Sequence, residues 1–432
     1  MRGDIVIVGG GAGGLELACK LGRKLGPGKV TLVDARLTHI WKPSLHEVAA
    51  GTLDVHQEGL SYQMLVHDNG FAFLYGALTA LDTPQRSVTI GPVTGAGGER
   101  VLPQRSLSFT VLVIAVGSTA HYFGVPGAQE HSIALNAPED AERFRLRLLT
   151  QLAQADAHRA EGGEGQVDIV IIGAGATGVE LAAELREASG VYAAYGFGHL
   201  QPQRDVHITL LEGAPRILAP LPERVAAAAN TLLEQRGVRV VTGCRVTGIT
   251  PDQVQDANGV AYPASLCVWA AGIRAPAFLA QLGLPTNKGG QLEVDGNLRV
   301  TGCTDIYAFG DCAASVDATG RQVPPRAQAA HQQADYLYRQ LVRAARGKAV
   351  SAAPYVYRDY GSLVSFGQRN TVGSLMGSLK GVNFFIDGFF ARMMYVSLHL
   401  MHHAAVLGPV KTALLAVARF LIRRSSALVK LH

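Results

Sequence analysis

The stretch IVIVGGGAGGLELA at residues 5–18 decides the fold, and a near copy, IVIIGAGATGVELA, occupies residues 169–182. In each copy a run of mostly β-branched apolar residues predicts a buried parallel strand, and the residues LELA or VELA open a helix. Glycines at GxGxxG spacing stand between strand and helix: Gly9, Gly11 and Gly14 in the first copy, Gly173, Gly175 and Gly178 in the second. The chain is therefore predicted to build one strand–turn–helix unit twice.

The three glycines of each copy have separate physical tasks. The first permits a tight turn, the second lets the backbone approach a pyrophosphate, and the third lets helix and strand pack closely. The N-terminus of the helix then presents free N–H groups and the positive end of its dipole to the phosphates. Each copy is therefore predicted to bind a dinucleotide, and a glycine-rich turn without a ligand is the alternative.

An acidic residue follows each copy, at the predicted end of a second strand. Asp34 follows the strand at 29–33, and Glu212 follows the strand at 207–211. A carboxylate at this position hydrogen-bonds a ribose. At the second site it favours a free 2′-hydroxyl and repels a 2′-phosphate, and no Arg follows directly, although Arg216 is near. We therefore expect the second site to prefer NADH over NADPH.

The composition bounds the protein class. A chain of 432 residues can form two to three domains, and 48% hydrophobic with 17% charged residues indicates a globular protein. The net charge of +5 suits an anionic lipid surface as well as nucleic acid. No nucleic-acid motif and no zinc-ligand spacing is found, so neither nucleic-acid binding nor a metal site is expected.

The five cysteines are scattered singly: Cys19, Cys244, Cys267, Cys303 and Cys312. This odd set argues against a disulfide framework and for a reducing compartment. The simplest interpretation is five small, buried apolar side chains. The first predicted strand begins almost at Met1 and leaves no room for a signal peptide, so we expect the N-terminal part to stay in the cytoplasm.

Two dinucleotide sites suggest one tightly held and one exchanging cofactor, and the chain resembles the two-dinucleotide-binding flavoproteins. In that superfamily the first copy holds FAD and the inserted second copy holds the nicotinamide. Apolar strands ending in Gly117 and Gly272 match its crossover points between domains. TDIYAFGD at 304–311 looks like its second FAD motif, which implies that Asp311 binds the ribityl end of the flavin. A helix cap is the alternative role for Asp311.

This resemblance implies an α/β fold with two Rossmann-like dinucleotide-binding domains, the NADH domain being inserted in a split FAD domain. A C-terminal membrane-associating α segment completes it. The predicted bounds are 1–120 and 290–345 for the two parts of the FAD-binding domain, 121–289 for the NADH-binding domain and 346–432 for a C-terminal membrane-anchoring region.

The C-terminal region holds two apolar segments, at 384–403 and 411–430, and charged residues interrupt both, so a membrane-spanning helix is not expected. One helical face of the second segment carries apolar residues and the opposite face basic ones, namely Leu414, Val417, Leu421 and Leu428 against Arg419, Arg423 and Lys430. This pattern favours a helix lying in an anionic membrane interface. Packing on the protein itself or on the partner of a homodimer is the alternative.

The sequence after Asp311 indicates the electron acceptor. Residues 323–333 read VPPRAQAAHQQ, which resembles the quinone-site motif AQxAxQ of type II NADH:quinone oxidoreductases, carried here by Ala327, Gln328, Ala330 and Gln332. Small alanines let a flat quinone ring approach the flavin, and a Gln amide can donate to a quinone carbonyl. An ordinary helix start with surface glutamines is the alternative.

Two further stretches resemble the same family. HIWKPSLHEVAAG at 39–51 looks like the loop that the family places against the flavin, which makes Lys42 a cofactor contact. Glu180 matches a family Glu assigned to proton or substrate handling, and Lys380 matches a Lys near the quinone entrance. Ser44 and His46 depart from the family, in which more apolar residues often stand there.

The resemblance implies a non-proton-pumping NADH:quinone oxidoreductase of the respiratory chain, bound peripherally to the cytoplasmic face of the plasma membrane. Hydride would pass from NADH to FAD, and two electrons to a membrane quinone. A sulfide:quinone oxidoreductase-like enzyme would use cysteines beside the flavin, such as Cys303 and Cys312. An NADH-binding redox sensor would need neither AQAAHQQ nor the amphipathic tail. Residues 38–51 contain no cysteine, which excludes the disulfide reductases.

Overall fold

The computed structural model describes residues 2–317, 320–366, 370–376, 383–425 and 429–430. Short 3-10 turns cover Lys42–Ser44, Ala277–Gln281 and Gly310–Cys312. The α-helices are α1 (Ala12–Leu25), α2 (Leu45–Ala50), α3 (Val55–Glu58), α4 (Tyr62–Asn69), α5 (Ala128–His131), α6 (Pro138–Ala160), α7 (Ala176–Tyr195), α8 (Pro202–Asp205), α9 (Glu223–Gln235), α10 (Ala327–Ala345), α11 (Gly388–Leu407) and α12 (Pro409–Ser425).

The strands are short on average, as expected for a chain rich in glycine turns. In chain order they are β1 (Arg2–Val8), β2 (Val30–Asp34), β3 (Thr38–His39), β4 (Leu60–Ser61), β5 (Ala72–Tyr75), β6 (Leu78–Asp82), β7 (Ser87–Ile90), β8 (Val93–Thr94), β9 (Arg100–Leu102), β10 (Arg105–Ile114), β11 (Thr119–Ala120), β12 (Ile133–Ala134), β13 (Val167–Ile172), β14 (Val206–Leu211), β15 (Val238–Val241), β16 (Val246–Ile249), β17 (Gln253–Asp256), β18 (Ala261–Pro263), β19 (Leu266–Trp269), β20 (Ile273–Arg274), β21 (Leu292–Glu293), β22 (Ile306–Ala308), β23 (Ala313–Ala314), β24 (Ser362–Phe366), β25 (Asn370–Met376) and β26 (Asn383–Asp387).

The first copy of the motif lies in a sheet of order β5–β2–β1–β10–β7–β6, to which β22 adds beside β10. β1 pairs in parallel with β2 and β10, with Ile5 opposite both Val30 and Val111. β22 also pairs in parallel, with Leu112 opposite Ile306. A strand far downstream thus completes the sheet of the first unit.

The second copy lies in a separate sheet of order β12–β19–β13–β14–β15, in which every pair is parallel. All five strands come after β10 and before β22 in the chain, so the second unit is inserted into the first. The predicted α/β fold with an inserted second dinucleotide unit is confirmed. The exact boundaries at residues 120, 289 and 345 stay predictions.

The C-terminal part of the chain packs into both units instead of standing apart. It forms an antiparallel sheet, β24–β25–β26, followed by α11 and α12. Val364 and Phe366 join the hydrophobic core of the second unit, together with Phe144 of α6. Val406 joins the core of the first unit. The C-terminal part of the chain therefore contributes side chains to the hydrophobic cores of both units.

The third glycine of each motif sits where no side chain fits. A Cβ at Gly14 would lie 1.9 Å from the carbonyl oxygen of Gly9, and one at Gly178 would lie 1.9 Å from that of Gly173. The second glycine differs, because a Cβ at Gly175 would meet no heavy atom within 4 Å. The third glycine therefore serves packing, and the second leaves open space.

This contrast gives a matched pair of variants. Gly178→Ala should destabilise the FAD-loaded, NADH-free protein by about 1–3 kcal/mol, because the new methyl group pushes α7 off β13. This is the net destabilisation, left after the gain of about 1 kcal/mol from the higher helix propensity of alanine. Gly175→Ala should change stability by less than about 0.5 kcal/mol. Thermal unfolding by calorimetry measures both, and equal unfolding midpoints for the two variants would contradict the assignment.

Candidate functional site

The first glycine loop forms an open cradle at the N-terminus of α1. Gly9 has a φ of 102°, which favours glycine, and the Gly10 N–H donates to the Asp34 carboxylate at 2.6 Å. Burial raises the pKa of Asp34, although the N–H groups of Gly10 and Arg36 lower it. A Cβ at Gly11 would meet no heavy atom within 4 Å. This space beside the helix N-terminus fits the pyrophosphate of FAD.

The second glycine loop repeats this geometry. Gly173 has a φ of 101°, and the N–H groups of Ala174 and Ala214 donate to the Glu212 carboxylate at 2.7 and 2.8 Å. The guanidinium of Arg216 donates to the backbone carbonyls of three residues, Leu218, Ala219 and Leu221. The Arg216 guanidinium is thus bound by backbone carbonyls. The charged side chain bound to the glycine loop is that of Glu212. This second cradle suits a nicotinamide dinucleotide with a free 2′-hydroxyl.

Three predicted flavin contacts meet although they are far apart in the sequence. The Lys42 ammonium donates to the carbonyl oxygen of Ser118 at 3.0 Å, directly after Gly117, whose φ is 71°. The Ser118 hydroxyl donates to the Asp311 carboxylate at 2.7 Å. Burial lowers the pKa of Lys42, and the charge of Asp311 opposes that shift. The loop at 39–51, the end of β10 and the second FAD motif therefore form one site.

The helix α10 begins at Ala327 and carries the predicted quinone motif. The Tyr357 hydroxyl donates to Oε1 of Gln328 at 2.9 Å. Gln332 uses both ends of its amide on the backbone of Arg358, at 2.8 and 3.0 Å. Within the part of the chain that the structure describes, no partner is seen for the amide nitrogen of Gln328, whereas Gln332 ties α10 to the chain near residue 358.

A buried neighbour of this motif connects α10 to the second FAD motif. The amide of Gln333 accepts from the Gly310 N–H at 2.9 Å and donates to the Ser315 hydroxyl at 2.8 Å. A shallow, open cleft lies here and is lined by residues that include Asp311, Arg326 and Gln333. The start of α10 is therefore fixed relative to Asp311.

Glu180 lies buried in the first turns of α7, between the two units and the C-terminal sheet. Its Oε1 accepts from the Ser365 N–H at 3.0 Å, and its Oε2 lies 3.7 Å from Nδ1 of the buried His46. Burial raises the pKa of Glu180 to about 7, with His46 acting in the opposite direction. The carboxyl group can therefore hold or release a proton near neutral pH.

The helix α12 confirms one half of the predicted amphipathic pattern, the exposed apolar face. On α12, Leu414, Val417 and Leu421 are 60–67% exposed. The expected basic face differs, because the Arg419 guanidinium is paired with Glu58 and the Lys430 ammonium lies 3.0 Å from an Asp54 carboxylate oxygen. These two partly buried cations are bound by carboxylates of the protein. Lys380 and Leu428 lie outside the described residues, as does the side chain of Arg423.

Within the described residues, the helices are all too short or too polar to cross a bilayer.

The cysteines are free, and those other than Cys303 are buried, as the sequence predicts. The Cys312 thiol donates to the Phe309 carbonyl at 3.2 Å, and burial raises its pKa to about 11. A thiol held in this way stays protonated at neutral pH and is a poor nucleophile.

Sequence reasoning missed several residues that orient the site. Gln333 stands one position beyond the AQxAxQ motif, and Ser118 directly follows Gly117, so position next to a motif was the available signal. Tyr357 and Ser365 gave no such signal, because no motif lies near them in the sequence.

Comparison with known proteins agrees with this geometry. A sequence profile of the pyridine nucleotide-disulphide oxidoreductase family matches residues 3–334. The type II NADH:quinone oxidoreductase of Haemophilus influenzae is 37% identical over 99% of this chain and 100% of its own length. Demethylphylloquinone reductase NdbB of Synechocystis sp. is 30% identical over 87% of each chain.

Solved structures share the fold at low sequence identity. NDH2 from Plasmodium falciparum in complex with NADH aligns with a TM-score of 0.76 at 18% identity, over 95% of this chain and 98% of its own. Sulfide:quinone oxidoreductase from Aquifex aeolicus aligns with a TM-score of 0.70 at 19% identity, over 94% and 92%. Both cradles thus lie in a shared architecture, and the sequence identities decide the family: this chain belongs to the pyridine nucleotide-disulphide oxidoreductases and, among them, to the type II NADH:quinone oxidoreductases.

Proposed function

We propose that this protein is a non-proton-pumping NADH:quinone oxidoreductase that holds FAD in the first unit and binds NADH in the second. The supporting observation is the matched pair of cradles, each with an open glycine and a carboxylate. Bound FAD supplies the redox chemistry, accepting hydride from NADH and giving two electrons to a membrane quinone. The protonated, buried Cys312 thiol argues against sulfide as the electron donor.

Glu212 selects the nicotinamide cofactor. Its carboxylate is held by two backbone N–H groups of the loop that faces the dinucleotide, so it cannot turn away from a 2′-phosphate without losing both hydrogen bonds. A free 2′-hydroxyl can donate to the same carboxylate. The charge of Glu212 is therefore the basis of the preference for NADH.

Glu212→Gln keeps the side-chain shape but removes the charge. A hydrogen bond to a charged group contributes about 1.5–3 kcal/mol, so kcat/KM for NADH should fall by about tenfold or more. Activity with NADPH should fall less or rise, because the variant no longer places a negative charge against the 2′-phosphate of NADPH. Steady-state kinetics with both cofactors measures this. As a control, the FAD content should match that of the wild type, and an unchanged NADH to NADPH ratio would remove Glu212 from the ribose site.

Ala327, Gln328 and Gln332 contribute to quinone reduction in different ways. Ala327 adds little bulk at the start of α10, where a flat ring must approach. Gln328 donates from its amide nitrogen to a quinone carbonyl, with its amide oxygen held by Tyr357. Burial raises the pKa of Tyr357 to about 12, so its hydroxyl stays a donor at neutral pH. Gln332 positions α10 through the Arg358 backbone.

Gln328→Leu keeps the bulk of the side chain and removes the donor. One hydrogen bond to a neutral group is worth about 0.5–1.5 kcal/mol, so reoxidation of the flavin by quinone should slow by about tenfold or less. Tyr357→Phe should have a smaller effect, since it removes only the group that orients the amide. Stopped-flow absorbance separates the two half-reactions. Slower flavin reduction by NADH with unchanged reoxidation would place Gln328 on the nicotinamide side.

Glu180 handles a proton of the quinone reaction. Its raised pKa means that the carboxyl group is protonated below about pH 7 and charged above it. The protonated form can donate to a reduced quinone, and the Ser365 N–H and His46 stabilise the carboxylate that remains. We therefore expect quinone reduction to slow as the pH rises through the pKa of Glu180.

Glu180→Gln should remove this pH dependence. In the wild type, the reoxidation rate should fall with an inflection at a pH of about 7. The inflection should be absent in Glu180→Gln. It should persist in the control Glu184→Gln, one helical turn along α7, whose carboxylate accepts from the Thr52 hydroxyl. There the inflection should move to lower pH, because the charge of Glu184 helps to raise the pKa of Glu180. Stopped-flow measurements over a pH series test this, and an inflection that survives in Glu180→Gln would assign the proton to another group.

The proposed location is the cytoplasmic face of the plasma membrane, with α12 lying in the interface of an anionic bilayer. The apolar face of α12 supports this, because Val410, Leu414 and Val417 are at least 60% exposed. The Lys411 ammonium is paired with Asp68 at 2.7 Å, and Arg419 and Lys430 are paired as well. The apolar contact is therefore the main attraction, and the anionic charge of the lipid adds less. A homodimer joined through this face is the competing proposal.

Substitution tests this better than deletion, because the buried Val429 and the paired Lys430 would be lost with the tail. The double variant Leu414→Glu with Leu421→Glu should reduce flotation on lipid vesicles by tenfold or more, with FAD retained. Leu146→Glu, on α6 and 53% exposed, is the matched control and should float as the wild type does. Unchanged flotation of the double variant, or its conversion from dimer to monomer, would count against membrane contact through α12.

A further inference from the structure

Three side chains of types that can bind a metal ion surround one guanidinium at the junction of α3, α11 and α12. Glu58, His399 and His403 each offer one ligand atom, and these atoms lie within 4.8 Å of one another. The Arg419 guanidinium donates to Nε2 of His399 at 3.0 Å and to Nε2 of His403 at 3.4 Å, and it is paired with Glu58. None of these residues was assigned above to FAD, NADH or quinone.

The hydrogen bonds fix the histidines in the form that binds metal ions. A guanidinium has only donors, so each Nε2 that faces Arg419 must present a lone pair. Nδ1 of His403 lies 3.0 Å from the carbonyl oxygen of His399 and donates to it, which keeps the proton off Nε2. A backbone carbonyl on the second ring nitrogen is the usual support of a metal-binding histidine.

The sequence showed no zinc-ligand motif, but the folded structure adds a carboxylate of α3 to two histidines whose spacing suits a metal. His399 and His403 are four residues apart on α11, so they share one helical face, and their rings stack with centroids 4.3 Å apart. Two His at this spacing with a carboxylate form the N and O ligand set of zinc, with a fourth position left for water. Ligand atoms around zinc stand roughly 3.4 Å apart, so the trio must close slightly around an ion.

We propose that Glu58, His399 and His403 form a zinc-type metal site at which the Arg419 side chain and the ion compete. A divalent ion and a guanidinium use the same three lone-pair groups, so they cannot be bound together. Arg419 therefore weakens metal binding in the wild type, and metal binding detaches Arg419 of α12 from α3 and α11.

Zn²⁺ binding to the full-length, FAD-loaded protein tests this, measured by competition with a chromogenic chelator. Arg419→Met should bind one Zn²⁺ per chain at least tenfold more tightly than the wild type. Co²⁺ added to the same variant should give the visible absorption of a four-coordinate ion. Adding His403→Gln should abolish both signals. Adding His56→Gln, an exposed histidine two residues from Glu58, should leave both unchanged.

Equal Zn²⁺ affinity in Arg419→Met and the wild type would overturn the proposal, and so would tight binding that survives His403→Gln. FAD absorbance reports whether each variant is folded. If Arg419→Met loses FAD, the comparison is made between the wild type and His403→Gln alone. A weaker Zn²⁺ affinity in His403→Gln then supports the site, and an unchanged affinity overturns it.

Discussion

The architecture depends on a contact that only glycine permits. In both units the helix after the first strand lies so close to the turn that a Cβ at Gly14 or Gly178 would be 1.9 Å from a carbonyl oxygen. This contact aims the N-termini of α1 and α7 at the open positions beside Gly11 and Gly175. It also places the backbone N–H of Gly10 or Ala174 against the carboxylate of the second strand. One packing constraint therefore sets both the space expected to hold the phosphates and the position of the carboxylate expected to bind the ribose.

The C-terminal region contributes more to the site than its composition suggests. Ser365 donates to Glu180, Tyr357 donates to Gln328, and the backbone of Arg358 holds Gln332. The residues proposed for proton and quinone handling are therefore oriented by the same part of the chain that presents the apolar face of α12. A quinone that enters from the membrane surface proposed for α12 would therefore meet groups that the same region of the chain orients.

Much of the fold and part of the site could be predicted from sequence, for a physical reason. The strand–glycine–helix units and the acids Asp34 and Glu212 could be predicted because each pattern is local. The strand, the turn, the helix N-terminus and the acidic residue all lie within a few tens of residues of one another. The assignment of both Lys42 and Asp311 to the flavin needed the resemblance to a family, since nothing local links these positions, and Ser118, which joins them, was missed. The ion pairing of Arg419 with Glu58 could not be predicted, because helical periodicity gives the face of a residue but not its partner.

The completion of the first sheet by β22 has a consequence for biosynthesis. β10 ends at Ile114, and its second parallel neighbour, β22, begins only at Ile306, whereas β1 precedes β10 in the chain. A ribosome adding about 5–20 residues per second needs roughly 10–40 s to cover that interval. During this time the inserted unit can close its own five-stranded sheet, while the apolar edge of β10 at Leu112 and Val113 still lacks its partner. An unpaired apolar strand edge invites intermolecular pairing, so the nascent chain needs shielding there, by a chaperone or by early docking of the inserted unit.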